Sequence, residues 1–389
     1  MKRKYLLVIA AAALVSGCAR NDVHDNINDA VLETESKEDI KPLKSGTLEL
    51  FRAFDEGFDE YIFSPEMLRK NFYTVANYAD GDTKQDIETV FNFPDAYNDN
   101  DTITKNKDIN CFSRTYINRS KMEEAKLSEL SDGKIIPMGI TMEELDNEKT
   151  KLNEMAEDVI ESFPHDFINE YSGISMLHYV RFNKPLAVPC ESNLSQIEEG
   201  ARVDYFISGY TSNLNIKESE DKTINILRLP FVTNDGEDQF SLYLFCDALN
   251  SNQMGVSSYI KKLTEEEFNN ILDFRTYDGL LNSSKVYFNF PTIDAENHGY
   301  VEENVKNMNL ITPFNHPNKD MKALGENGVS HVYSDVRFHT YITGIEPEEE
   351  TDSADTIIHN VNITTPFIYV VKNDNTGDIL IMGKKNPLL

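Results

Sequence analysis

The stretch that most limits what this chain can become is residues 329–389, VSHVYSDVRFHTYITGIEPEEETDSADTIIHNVNITTPFIYVVKNDNTGDILIMGKKNPLL. Residues 332–345 alternate, with Tyr333, Val336, Phe338, Tyr341 and Ile342 supplying the apolar and aromatic positions. That is the pattern of a strand with one buried face. Residues 346–356 are acidic and carry no apolar period. Two apolar runs follow, TTPFIYVV and DILIMG, joined by residues 372–378. The run NDNTGD places Asn, Asp and Gly where a hairpin turn needs them. A strand therefore feeds an exposed loop, and a hairpin follows the loop.

At 389 residues the chain can hold one large domain or two, and its 40% hydrophobic content suffices for a sizeable core. The formal charge of -29 argues against nucleic-acid binding, because phosphates call for Lys and Arg. It equally disfavours docking on an anionic lipid surface, and reads most simply as solubility.

The first residues form a processing segment. Lys2, Arg3 and Lys4 give a positive start, and residues 6–15 an apolar core too short to span a membrane. Val15-Ser16-Gly17-Cys18 looks like a bacterial lipobox, which makes Cys18 the lipidation site. Residues 1–17 are then a lipoprotein signal peptide and residues 18–45 a flexible polar tether. The mature protein is expected in the cell envelope, periplasmic or surface-exposed, touching membrane through its lipid alone. Cys111, Cys190 and Cys246 remain; their spacing is no metal knuckle, and buried thiols are the simplest reading, with one disulfide open as an alternative.

Helices are expected over 48–54, 65–78, 83–91, 142–163, 263–273 and 300–308. Ser64 and Pro65 form a start signal, and Thr264 with Glu267 a capping box. Strands are expected over 109–117, 174–182, 203–210, 224–229, 241–246 and 286–290, and residues 98–108 as a polar loop. Helices gathered early and strands gathered late argue an α+β domain. There is no HExxH, GxSxG, P-loop or GxGxxG, and the eight His are scattered. His178 and His339 read as hydrogen-bonded structural residues. No catalytic residue, metal site or cofactor is expected, and the chain is not read as an enzyme.

The sequence resembles the serpins, the serine protease inhibitor family. The resemblance rests on Thr365-Pro366-Phe367, Thr376-Gly377 and Met382-Gly383 near the end, and on Ser334-Asp335-Val336 with Phe338-His339 before the acidic segment. Phe51-Arg52-Ala53-Phe54, Tyr61-Ile62-Phe63-Ser64-Pro65, Ala79-Asp80-Gly81-Asp82-Thr83 and Leu227-Arg228-Leu229-Pro230-Phe231 occur in the family's order. The resemblance implies one serpin-like domain over 46–389, with large mixed β-sheets, helices packed on one side and an exposed loop near the C-terminus. It implies a hinge and bait loop comprising Pro347, Glu349, Glu350, Thr351, Asp352, Ser353, Ala354, Asp355, Thr356, Ile357, Ile358, His359, Asn360, Val361 and Asn362. In an inhibitory serpin this loop is cut and inserts as a new strand in the main sheet, dragging the protease with it.

Two features count against insertion. The family carries a Trp after its central strand; this chain has Asn183-Lys184-Pro185-Leu186 there. An inserted hinge also turns alternate residues inward. One register buries Glu350, Asp352, Ala354 and Thr356, the other Glu349, Thr351, Ser353 and Asp355, so either buries two acids. A family-length count puts the scissile residue close to Asn362, leaving little exposed chain for a protease. A non-inhibitory binding module is therefore favoured, with a bait-loop inhibitor of extracellular serine or cysteine proteases as the alternative. The partner is a protease or another protein ligand, and the protein is expected to be a monomer.

Overall fold

The computed structural model describes residues 46–57, 59–93, 97, 104–105, 108–130, 133–157, 160, 166–196, 203–251, 254–275, 277–280, 285–343 and 357–387. In chain order the elements are α1 (Thr47–Phe54), β1 (Tyr61–Phe63), α2 (Pro65–Ala76), α3 (Gly81–Phe91), β2 (Thr104–Lys105) and β3 (Ile109–Asn118). Next come α4 (Glu124–Glu129), β4 (Ile135–Met138), α5 (Met142–Ala156), β5 (Ile174–Phe182), β6 (Pro185–Leu186), β7 (Cys190–Gln196) and β8 (Val203–Ser212). The middle continues with β9 (Ile216–Glu218), β10 (Ile224–Pro230), β11 (Phe240–Asp247), α6 (Gly255–Lys262), α7 (Glu265–Leu272), β12 (Lys285–Pro291) and β13 (Asp294–Tyr300). The last part is α8 (Glu302–Lys306), β14 (Val329–His339), β15 (Tyr341–Ile342), β16 (Ile358–Asn362), β17 (Phe367–Asn373) and β18 (Ile379–Lys385).

Local chemistry explains the helix starts. Ser64 Oγ accepts from the Met67 N–H, and Pro65 opens α2 where its missing N–H is no loss. Thr264 and Glu267 close a reciprocal capping box on α7. The helix 142–163 of the sequence reading ends at Ala156, because Glu157 turns left-handed. The helix expected over 300–308 shrinks to α8, because Asp294–Tyr300 pairs as β13. Residues 98–108 also contain the short strand β2.

The strands fall into three main sheets. The first runs β13-β14-β5-β3-β2, with β4 also on β3; the second β1-β18-β17-β11-β10-β9; the third β16-β12-β8-β7; β15 and β6 make a separate pair. In the first sheet, helices cover both faces rather than the one expected. α2 lies behind, where Leu68 and Phe72 share a core with Met176 and Val332. α5 lies in front, where Leu145, Leu152 and Ala156 pack on Phe112, Leu177, Tyr179 and Tyr333. The reason is legible in β5: seven of its first eight positions are buried, so neither face is free for solvent.

The hairpin β17–β18 is buried as expected, with Phe367, Tyr369, Ile381 and Met382 at 0% exposure. β18 is held between β1 and β17. Lys384 of β18 points inward and meets Asp55 at 3.1 Å, with side-chain exposures of 1% and 0%. Lys261 reaches the same carboxylate at 2.9 Å. Cys111, Cys190 and Cys246 are all buried thiols, and no disulfide joins them.

Candidate functional site

The part of the fold that the expected loop insertion would have to open is the seam between β5 and β14, beside the segment that leaves β14. The two strands run parallel, from Val329 against Ile174 to Phe338 against Phe182, with one irregularity between Val329 and His331. A segment folding back from the end of β14 as its antiparallel neighbour must displace either β13 or β5, because β14 is paired along both edges. Separating β5 from β14 breaks the backbone bonds of this whole ladder.

Three contacts hold the seam. Midway, His178 of β5 stands opposite Ser334 of β14 on the back face. Its Nδ1 lies 3.1 Å from Asn71 Oδ1 of α2 and its Nε2 3.0 Å from Ser334 Oγ. The neutral ring satisfies both, donating to the Asn71 oxygen and accepting from the Ser334 hydroxyl. Burial pushes the His178 pKa down to about 3, so the ring is neutral at ordinary pH. At the lower end, the Gly173 N–H donates to Ser330 Oγ at 2.8 Å and the Ile174 N–H to the Gly328 carbonyl at 2.9 Å. A Cβ on Gly173 would stand 2.6 Å from that carbonyl, so only glycine allows the two backbones this close.

The upper end is closed by rings. Phe182 packs on Phe231 at 4.7 Å, Phe240 at 5.5 Å and Phe338 at 6.0 Å, and Phe338 packs on Tyr369 at 5.8 Å. Such pairs add about 0.5–1.5 kcal/mol each beyond their area. Within Asn183–Leu186, the stretch where the resemblance implies a Trp, Lys184 lies buried, its ammonium 2.6 Å from Glu237 Oε2 and 3.3 Å from the Val232 carbonyl. The hydrogen bond from Lys184 holds the Glu237 carboxyl below its ordinary range. Just beyond, Tyr341 and Ile342 pair with Pro185 and Leu186 as β15 and β6, continuing the seam past the main sheet.

On the front face Asp335 is buried, which raises its pKa, while Arg337 and His298 pull it back. Arg337 Nε sits 3.0 Å and His298 Nδ1 3.1 Å from its Oδ1. His339 is half-exposed beside Asp294 at 3.2 Å, and like His178 it has a structural setting.

The expected hinge residues Pro347, Glu349, Glu350, Thr351, Asp352, Ser353, Ala354, Asp355 and Thr356 lie outside the described residues, as does Cys18. Ile357 is exposed. Ile358, His359, Asn360, Val361 and Asn362 are a correction: expected in the loop, they form β16, parallel to β12 from Lys285–Ile358 to Asn289–Asn362. The reason is apolar fit and polar pairing. Val361 is 2% exposed and joins the core beneath the third sheet. Asn289 Nδ2 donates to Asn362 Oδ1 at 2.7 Å, and Asn250 Nδ2 to the Asn362 carbonyl. The connection between β15 and β16 therefore spans residues 343–357.

Sequence reasoning missed Asn71, Glu237 and the phenylalanine cluster. A signal existed for one contact: His178 and Ser334 are polar at positions whose strand neighbours of the same phase, Met176, Val180, Val332 and Val336, are all apolar. Polar residues in an apolar phase are expected to bond one another.

Residues 197–387 match the family model described as Serpin (serine protease inhibitor). No curated protein matches the chain. Among solved structures, the thermophilic serpin tengpin in its native state is similar with a TM-score of 0.66 at 14% identity, covering 87% of this chain and 92% of its own. The mouse protein-Z dependent protease inhibitor gives 0.65 at 16%, covering 87% and 94%. Uncleaved ovalbumin gives 0.66 at 12%, covering 87% and 96%. At these identities the likeness is one of fold.

Proposed function

We propose that this chain, which has the serpin fold and matches the serpin family model over residues 197–387, acts as an envelope-tethered binding module rather than as a suicide inhibitor. The observation that carries this reading is the shortness of the segment between β15 and β16. It has fifteen positions, 343 to 357. A strand matching the nine residues of β5, plus a turn, uses nearly all of them. A productive cut would then fall at Ile357, whose carbonyl accepts from the Lys285 N–H at 3.3 Å at the edge of the third sheet. A cut nearer the middle leaves too few residues to line the seam.

Chemistry points the same way. An inserted strand would face Val180, Val336, His178 and Ser334 behind, all buried. The acids Glu350 and Asp352, or Glu349 and Asp355 in the other register, would have to be buried with them. An unpaired buried carboxylate costs several kcal/mol even after relaxation. The seam also starts closed, with both of its faces covered. The binding partner is proposed to be a protein, and the anchor a lipid on Cys18; release of wild-type protein into detergent-free buffer would count against that anchor.

The experiment is incubation with a panel of serine and cysteine proteases, read on a denaturing gel, with melting of the cleaved product. The expected result is a nicked protein, active protease, and a melting temperature little changed by cleavage. The second reading, a bait-loop inhibitor, is favoured by the family's own description as serine protease inhibitors. A stable high-mass complex, with a large rise in melting temperature after cleavage, would establish that reading and overturn ours.

A further inference from the structure

An open groove of about 350 Å³ lies at the lower end of the seam. Tyr171 and Ser172, on the approach to β5, form one wall, and Ser330 and His331, at the start of β14, form the other. Lys306 and Phe314 complete it, with His316 beside them. Among the described residues no Asp or Glu lines it, in a chain with 66 acidic residues against 37 basic ones. The groove is a cation-bearing site on an otherwise acidic molecule.

Its polar groups are only partly used. His331 Nδ1 is buried and makes no hydrogen bond among the described residues; the nearest carboxylate oxygen, Glu302 Oε1, is 3.6 Å away. That nitrogen faces Glu302 inside the wall, so the groove presents Lys306 as its cation. His316 Nε2 lies 3.2 Å from the Val329 carbonyl and 3.4 Å from Ser330 Oγ. The Lys306 ammonium sits 5.1 Å over the Phe314 ring and 2.7 Å from Glu303, whose side chain is 80% exposed and can swing away. Asp166 is occupied by the Tyr300 hydroxyl at 2.8 Å. Tyr171 stands at the rim with 81% of its surface exposed. The ring has an apolar body that solvent does not reward.

We propose that this groove binds a small aromatic carboxylate. The ring of the ligand lies against Tyr171 and Phe314, and its carboxylate takes the Lys306 ammonium once Glu303 swings away. The volume is at the small end of ligand pockets, and the groove is open, so affinity is modest, with a Kd of about 0.1–1 mM for a ligand of this size. Because the walls come from the approaches to both β5 and β14, the ligand bridges the seam. It binds the closed arrangement and stabilises it in proportion to occupancy. The site does not depend on whether the 343–357 segment can insert.

The test uses the full chain and 3-phenylpropanoate as probe, with 3-phenylpropanamide and butanoate as controls, followed by calorimetric titration and melting. Expected are saturable binding of the aromatic acid, at least tenfold weaker binding of both controls, and a melting temperature that rises with the acid alone. Tyr171→Ala and Lys306→Met should each weaken binding fivefold or more. Both side chains have exposed surface, so the unliganded variants should melt with the wild type. A variant that melts early is replaced by Tyr171→Ser or Lys306→Gln. The amide binding as well as the acid, either variant binding like wild type, or no saturation below about 10 mM overturns the proposal.

Discussion

Replacing His178 with Gln tests how the seam is held and carries a calculable pH signature. The unfolded imidazole titrates near its ordinary 6.5, whereas burial holds the folded one at about 3. The charged form is thus disfavoured in the fold, and the unfolded chain takes up the proton first. Stability from this group is intact above pH 6.5 and is lost as the pH falls towards 3. Between pH 7.5 and pH 5 the loss is about 2 kcal/mol, because the unfolded ring is almost fully protonated at the lower pH and the folded ring almost fully neutral. Gln keeps a neutral polar group between Asn71 and Ser334 and removes the titration. The assay is urea denaturation of both proteins at the two pH values. The wild type should lose about 2 kcal/mol more than His178→Gln on acidification, although the variant starts about 1–3 kcal/mol lower at pH 7.5 through imperfect pairing. Equal losses in the two proteins would refute the reasoning, since they would mean that His178 is protonated, or exposed, in the folded state.

Other consequences follow from buried groups away from the seam. Lys384→Met should cost about 3 kcal/mol by denaturant melting, because it takes one of two cations from buried Asp55 and leaves it Lys261 and the Tyr61 and Ser257 hydroxyls, and adding Asp55→Leu should recover part of the loss. An unchanged midpoint in Lys384→Met would show that the pair is not desolvated. Burial pushes the Cys190 thiol up to about 11 and the Cys246 thiol up to about 12, so neither should react with a thiol reagent at pH 8 until the chain is unfolded. Prompt labelling of the native protein at either position would contradict the packing described.

Much of this arrangement could be read in the chain because its late strands are periodic. Val332, Ser334, Val336 and Phe338 share one phase, and the two apolar runs around NDNTGD read directly as β17 and β18. Asp294–Tyr300 escaped because DAENHGY has almost no apolar residue; it is an edge strand, ordered by its ladder with β14 rather than by burial. The resemblance assigns Ile358–Asn362 to the bait loop, and five residues with one buried position give no period to set against it. The order of this strand comes from Asn289 and Asn250, 73 and 112 residues away from Asn362, which no local pattern carries. The lack of a Trp in Asn183–Leu186 is visible in the sequence, but Glu237, the partner of Lys184 there, lies 53 residues away. The expectation of helices on one side came with the family resemblance, whereas the nearly continuous apolar run ISMLHYVRF of β5 already pointed to two covered faces.

The place of β18 between β1 and β17 bears on how the polypeptide is made. Synthesis runs from the N-terminus, so Tyr61–Phe63 and the β10–β11 pair emerge long before the two strands that join them. Until residue 385 is available, the second sheet is two fragments with open edges and Asp55 lacks the Lys384 ammonium. Closure of this sheet therefore waits on Phe367–Lys385, however far synthesis has gone elsewhere. A nonsense codon near residue 376 would leave every earlier element in place, yet it would take away the strand against which β1 pairs and leave the second sheet in two parts.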